Sequence, residues 1–173
     1  MLKTSSNQSE NNLLRLVPLL ISSLTLKKLP VKCLENIPSY IFEGVLNLRS
    51  TDCDSTPYFI SYLTLNFESA KPTGTLYTMR EKVTPEVEAY LTKLNIAIKD
   101  YDTFLGDIAK LNGSVYLDTS IANSALYETL PHKDAIVNTK PNIIDKLKAI
   151  KNPVEIQGFV NCHVRDGAAI VKY

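Results

Sequence analysis

The chain has 173 residues, of which 45% are hydrophobic and 21% charged, and a formal net charge of +1. That is the length of one domain, with enough apolar material to bury a core. A charge so close to zero gives no electrostatic footprint for nucleic acid or an anionic membrane, and neither is expected as a partner.

Met1–Asn12 is polar and reads as a disordered tail. The apolar run Leu13–Leu26 carries Arg15 and Pro18. At about fourteen residues it falls short of the roughly twenty that span a bilayer. It also lies too far from a basic start to be a signal peptide. It predicts a buried amphipathic helix within Ser9–Leu24, kinked or delayed by Pro18. A short buried strand over Leu29–Leu34 follows, then a helix from Asn36 to Leu46 with Pro38 in its first turn. Tyr58–Phe67, rich in aromatic and β-branched residues, is the strongest strand signal. The loop Lys71-Pro72-Thr73-Gly74 joins it to a strand at Thr75–Met79 as a hairpin.

Thr84-Pro85 has the order of a helix start, a capping hydroxyl before a first-turn proline. Val87, Tyr90, Leu91 and Leu94 then repeat on one helical face. Ile96 and Ile98 alternate as a strand. Phe104, Leu105, Ile108 and Leu111 form the next helical stripe, closed by Asn112-Gly113. Val115–Leu117 reads as a strand, Ser120–Thr129 as a helix stopped by Pro131, and Ala135–Val137 as a last strand. Ile143, Ile144, Leu147 and Ile150 mark a further helix. Lys140, Lys146, Lys148 and Lys151 nearby read as a solvated basic face.

Asn152-Pro153-Val154-Glu155 is a helix start with a capping box, in which Glu155 reaches back to the cap. Ile156, Phe159, Val160, Val164, Ala168 and Val171 give that helix an apolar face, and no stop signal precedes Tyr173. This predicts a helix whose packing partner lies outside the sequence. Alternating helical and strand signals predict an α/β layer structure.

Cys33, Cys53 and Cys162 are odd in number and lack CxxC spacing, which argues against a disulfide framework or a zinc site. Reduced, partly buried thiols in a cytoplasmic protein are the expectation. The two histidines, His132 and His163, with no convergent carboxylates, cannot build a two-metal site. The sequence has no G-x-S-x-G, H-E-x-x-H, P-loop or G-x-G-x-x-G. Asp52 and Asp54 sit in a turn, where carboxylates bond nearby amides. Arg49 is expected to form a bidentate pair with Asp52 that fixes the loop, or to reach a neighbouring domain or subunit from it.

Two segments carry a resemblance. Leu46-Asn47-Leu48-Arg49-Ser50-Thr51-Asp52, followed by Pro57-Tyr58-Phe59-Ile60-Ser61-Tyr62, resembles a signature of eukaryotic Xaa-Pro aminopeptidases (aminopeptidase P). Ser50 stands where that family usually has glycine, and Thr56 where it has asparagine. The stretch from Lys148 to Val171 is similar to the segment that links the family's middle domain to its catalytic domain. Between them, Val115-Tyr116-Leu117-Asp118 and Ser124–Pro131 resemble the family's strand and following helix.

The resemblance implies a three-layer α/β/α domain with a mixed sheet, creatinase/prolidase N-terminal-like, with a ribonuclease H-like motif. It implies a tail over 1–12, that domain over 13–151, and the start of a pita-bread catalytic domain over 152–173. The family's catalysis uses two metal ions, usually manganese, held by ligands past Tyr173. No catalytic or metal-binding residue and no cofactor is therefore expected in this chain. His163 matches a family position that is not a metal ligand. Arg49, Asp52, Tyr62 and His163 are the candidates for interface or loop-structuring roles. The implied partners are the catalytic domain, a second subunit and, through the parent enzyme, proline-containing peptides. The alternative is a catalytically inactive creatinase-like module that binds other proteins.

Overall fold

The structure is a computed structural model that describes residues 2–4, 31–35, 46, 48–50, 52, 54, 59–66, 73–117, 119, 122–133, 136–138 and 149–173. The helices expected within Ser9–Leu24 and around Ile143–Leu147 lie outside these residues. So do most of the Asn36–Leu46 helix, the side chain of Cys33, all of Cys53, and the basic face apart from Lys151.

Eight strands are described: β1 (Lys3–Thr4), β2 (Val31–Glu35), β3 (Leu48–Arg49), β4 (Ser61–Asn66), β5 (Thr73–Thr78), β6 (Ile96–Asp100), β7 (Ser114–Leu117) and β8 (Ile136–Asn138). Four α-helices accompany them: α1 (Pro85–Lys93), α2 (Phe104–Ile108), α3 (Ser124–Thr129) and α4 (Pro153–Lys172). Strands β6-β5-β4-β2-β7-β8 form one sheet in that order, and β1-β3 form a separate pair. β4 runs antiparallel to both its neighbours, while β5–β6, β2–β7 and β7–β8 are parallel. The sheet is therefore mixed, with β4 alone reversed, because the chain turns back between β2 and β4 and again at the predicted β4–β5 hairpin, while the parallel neighbours are reached by crossovers.

Strand alternation sends successive side chains to opposite faces. On β4 and β5, Leu63, Leu65 and Leu76 turn to one face, where they pack with Val87 and Leu91 of α1, Ile96, and Leu2, Leu46 and Leu48. Tyr62 and Tyr77 turn to the other, beside Phe104 and Ile108 of α2 and Leu126 of α3. Val115 and Leu117 of β7 join the second cluster, and Tyr116 packs against the first. Both faces are thus covered by helix, which makes three layers, as expected. Full burial of each Leu or Phe side chain contributes roughly 1.5–3 kcal/mol.

Local chemistry explains the element ends. Thr84 Oγ1 accepts from the Val87 amide at 3.4 Å and Pro85 takes the first turn, as expected. Helix α1 ends with Asn95 at φ 57, a left-handed position that asparagine tolerates better than most residues. Gly113 at φ 92 closes the turn after α2. Gly74 lies opposite Leu65 and Ile96, and a Cβ there would meet Leu65 Cδ2 at 3.0 Å and the Thr64 carbonyl at 3.1 Å. A Cβ at that position would need these neighbours to give by a few tenths of an ångström.

Two expectations are corrected. Helix α3 is shorter than Ser120–Thr129, because Asn123 caps it by accepting from the Ala125 amide at 2.9 Å. Residues 2–4 are not a free tail: Leu2 is fully buried, and Lys3 and Thr4 pair with Arg49 and Leu48. An apolar side chain two positions from the start found a seat that the polar composition of 1–12 concealed.

Helix α4 has the expected capping box. Asn152 Oδ1 accepts from the Val154 and Glu155 amides, both at 2.9 Å, and Glu155 Oε2 accepts from the Asn152 amide at 2.8 Å. Every residue from Pro153 to Tyr173 is exposed, Phe159 and Val160 included. Cys162, expected to be partly buried, is exposed on this helix. Asn152→Ala is expected to cost about 1 kcal/mol of helix stability, visible as lost helical ellipticity on mild heating.

Candidate functional site

The turn after β3 is organised by one carboxylate. Asp52 Oδ1 accepts from Ser50 Oγ at 2.7 Å, and Oδ2 accepts from the Ile60 amide at 3.2 Å and Lys82 Nζ at 2.6 Å. The Asp52 side chain is only 8% exposed and that of Lys82 21%, so this is a mostly shielded ion pair. Burial disfavours the charged carboxylate, but bonds from Lys82, Ser50 and the Ile60 amide outweigh it and hold Asp52 below its ordinary pKa.

The expected Arg49–Asp52 fork is thereby corrected: the cation on Asp52 is Lys82. Arg49 Nη1 donates instead to the Leu48 carbonyl at 3.1 Å. Strand alternation accounts for the difference. Leu48 and Ser50 point inward and are buried, and Ser50 reaches Asp52, whereas Arg49 between them is only part-buried. Asp54 is exposed in the same turn.

Tyr62 belongs to a second cluster, on the opposite face of the sheet. The register places Tyr62 beside Tyr77 and Tyr77 beside Lys99. The Tyr62 ring stacks on Phe104 with centroids 3.8 Å apart and on Tyr101 at 5.1 Å, while Tyr77 meets Phe104 edge-on at 5.1 Å. Burial, with a bond to Tyr62, pushes the Tyr101 hydroxyl up to about 12. Asp107 Oδ2 accepts from Lys99 Nζ at 2.6 Å and Tyr77 Oη at 3.2 Å. The Lys99 bond, the largest influence, keeps Asp107 low. Nothing in the local sequence pattern signals this Tyr77–Asp107–Lys99 group, since its members come from β5, β6 and α2.

His163 stands on α4 in the stripe of Val160 and Val164, with its ring edge-on to Phe159 at 6.4 Å. His132 is exposed in the turn after Pro131. The four candidates are therefore not one site: Asp52 and Arg49 belong to the β3 turn, Tyr62 to the opposite sheet face, and His163 to α4. Among the described residues, no three His, Cys, Asp or Glu come together as metal ligands. No described helix is long and apolar enough to cross a membrane. An open depression of about 540 Å³ beside α3 is lined by Thr119, Ser124, Tyr127 and Lys133, with Lys133 Nζ 5.3 Å from the Tyr127 ring centre. Its described lining includes no carboxylate or imidazole.

The family model of the creatinase/prolidase N-terminal domain matches residues 45–155. The chain belongs to the creatinase/prolidase N-terminal domain family. This member is 35% identical over 139 residues to a "Probable Xaa-Pro aminopeptidase P" of Aspergillus niger, covering 75% of this chain and 22% of that relative. It is 34% identical over 138 residues to one of Botryotinia fuckeliana, covering 75% and 20%. The chain thus spans about a fifth of the length of the curated relatives it matches. Its structure superimposes on an X-prolyl aminopeptidase of Caenorhabditis elegans, described as a cytosolic enzyme with a di-nuclear active site. The TM-score is 0.81 at 23% identity, over 99% of this chain and 28% of that one, and at that identity the likeness establishes the fold. The creatinase/prolidase N-terminal fold extends further back than the family match. Strand β2 precedes residue 45, yet it pairs with both β4 and β7 in the middle of the sheet.

Proposed function

We propose that this chain is the non-catalytic middle domain of an Xaa-Pro aminopeptidase, with α4 opening the metal-binding catalytic domain. The observation that carries this reading is α4 itself. It starts at its own capping box and exposes an apolar stripe of Ile156, Phe159, Val160 and Val164. A face of that kind is stabilised only by something packed against it. The relatives named Xaa-Pro aminopeptidase P, of which the matched 75% of this chain covers 20–22%, supply the class of protein in which that partner would be found.

In this reading the parent protein hydrolyses the bond between an N-terminal residue and proline, in the cytoplasm. Proline's tertiary amide lacks the N–H that most peptidases recognise. Two manganese or similar divalent ions would polarise the carbonyl and activate water in the parent's catalytic domain. The described residues of this chain do not fit such a centre, and no step is assigned to them. Arg49 and Asp52 shape the surface turned to the catalytic domain or to a second subunit, Tyr62 supports the opposite sheet face from within its stack on Phe104 and Tyr101, and His163 serves packing on α4.

With manganese present, this chain is expected to leave an Xaa-Pro peptide intact over hours, as read by chromatography of the products. Metal-dependent release of the first residue would overturn the reading. Coding sequence past Tyr173 is expected to supply the two Asp, one His and two Glu that hold the metals. Replacement of those ligands would favour the inactive protein-binding module instead.

A further inference from the structure

We propose that residues 2–4 are a strap latched to the domain by the Asp52–Lys82 pair, and that the strap opens as a unit when this pair is broken while the six-stranded sheet stays folded. Lys82 makes two different bonds that meet at the strap. Its carbonyl accepts from the Leu2 amide at 2.9 Å, and its ammonium donates to Asp52 at 2.6 Å. Asp52 in turn holds Ser50, the residue next to β3, and the Ile60 amide just before β4. One ion pair thus ties together the strap, the end of β3, the entry to β4 and the turn after β5.

The backbone pairing of the strap lies outside the main ladder. Strand β1 pairs with β3 through Lys3↔Arg49 and Thr4↔Leu48, a two-stranded sheet separate from the six-stranded one. Among the described residues, it is fastened to the rest by the Leu2 side chain, fully buried in the cluster with Leu46, Leu48, Val87 and Leu91, and by the bond to Lys82. A strand that the described residues pair on one side opens at lower free energy than strands paired on both sides. β4 and β5 do not share this weakness, because they are paired to each other along six registers, Ser61↔Thr78 to Asn66↔Thr73. Opening the strap would empty the Leu2 seat without unpairing a main-sheet strand.

Hydrogen exchange followed by NMR on the full chain tests the latch. In Lys82→Met, which keeps the apolar stem and the carbonyl but removes the ammonium, protection of the Leu2 amide and of the β1–β3 pair is expected to fall at least about tenfold. The amides of Leu63 and Leu76 are expected to stay protected at the level that the global stability of the same variant, read in urea, sets. Unchanged protection at the strap, or strap amides that exchange only as slowly as those of Leu63 and Leu76, would overturn the proposal. Ser50→Ala loosens Asp52 without removing a charge and is read by the same local-against-global criterion should Lys82→Met fail to fold. The double variant Lys82→Met with Asp52→Ala is expected to open the strap no more than the stronger single variant; additive losses would count against a shared latch.

Discussion

Phe104→Ala is expected to lower the unfolding free energy by about 3–5 kcal/mol, the range for deleting a buried aromatic ring. Phe104 is 2% exposed and has the Tyr62 ring stacked on it at 3.8 Å and the Tyr77 ring against its edge at 5.1 Å. Truncation would leave both tyrosines facing a cavity, beneath the helices that cover this face of the sheet. The rings cannot close the gap freely. Tyr77 is tied to Asp107 by its hydroxyl, and Tyr62 is also stacked on Tyr101. For a chain of this size the melting temperature should drop by roughly 10 °C or more. The adjacent Leu105 is 43% exposed, and Leu105→Ala should stay within about 1 kcal/mol. Equal effects at the two positions in urea denaturation would show that Phe104 is not a centre of this core.

Asp52→Ala is expected to cost about 2–3 kcal/mol near neutral pH, because the Ser50 hydroxyl, the Ile60 amide and the Lys82 ammonium all lose their acceptor in a shielded place. The sign of the pH dependence follows from the depressed carboxyl. Folding holds Asp52 below its ordinary value of 3.8. Its contribution is therefore complete above the unfolded carboxyl value and is lost as pH falls through the lower folded one. The stability difference between wild type and Asp52→Ala should be full at pH 6–7 and shrink below about pH 4. Urea titrations across that range would measure it, and a difference that stays constant into acid would rule out the charged form of Asp52 as its source. The pair Arg80–Glu88 makes a useful contrast. Its bond is equally short, 2.6 Å, but both side chains are 51% exposed. Arg80→Ala should therefore cost less than about 1 kcal/mol and the effect should fade in salt.

These two sites differ in how far they could be read from the sequence. The β4–β5 hairpin was legible because aromatic and β-branched residues flank a Pro-Gly loop. Helix α1 and the capping box of α4 were legible because capping bonds join residues two or three positions apart. The turn around Asp52 is legible as a turn, but the sequence offers Arg49 as its nearest cation, and the structure supplies Lys82, 30 positions along the chain. The start of α3 is ambiguous because Ser120 and Asn123 are both acceptable caps, and only the folded backbone chooses between them. Leu2 is hidden for a related reason: one apolar side chain in a polar stretch has no periodicity to reveal it.

The local elements, the α/β class and, through the motifs, the resemblance to the creatinase/prolidase N-terminal family are all legible in the order of residues along the chain. Those properties depend on neighbours within a turn or two, and on the order of recognisable segments. Tertiary structure alone decided the strand order, with β2 between β4 and β7, and the separation of Tyr62 from Asp52 onto opposite sheet faces. It also decided the meeting of Leu2, Lys82 and Asp52. Contacts between distant segments depend on which faces the sheet and its helices bring together, and that information is spread over the whole chain.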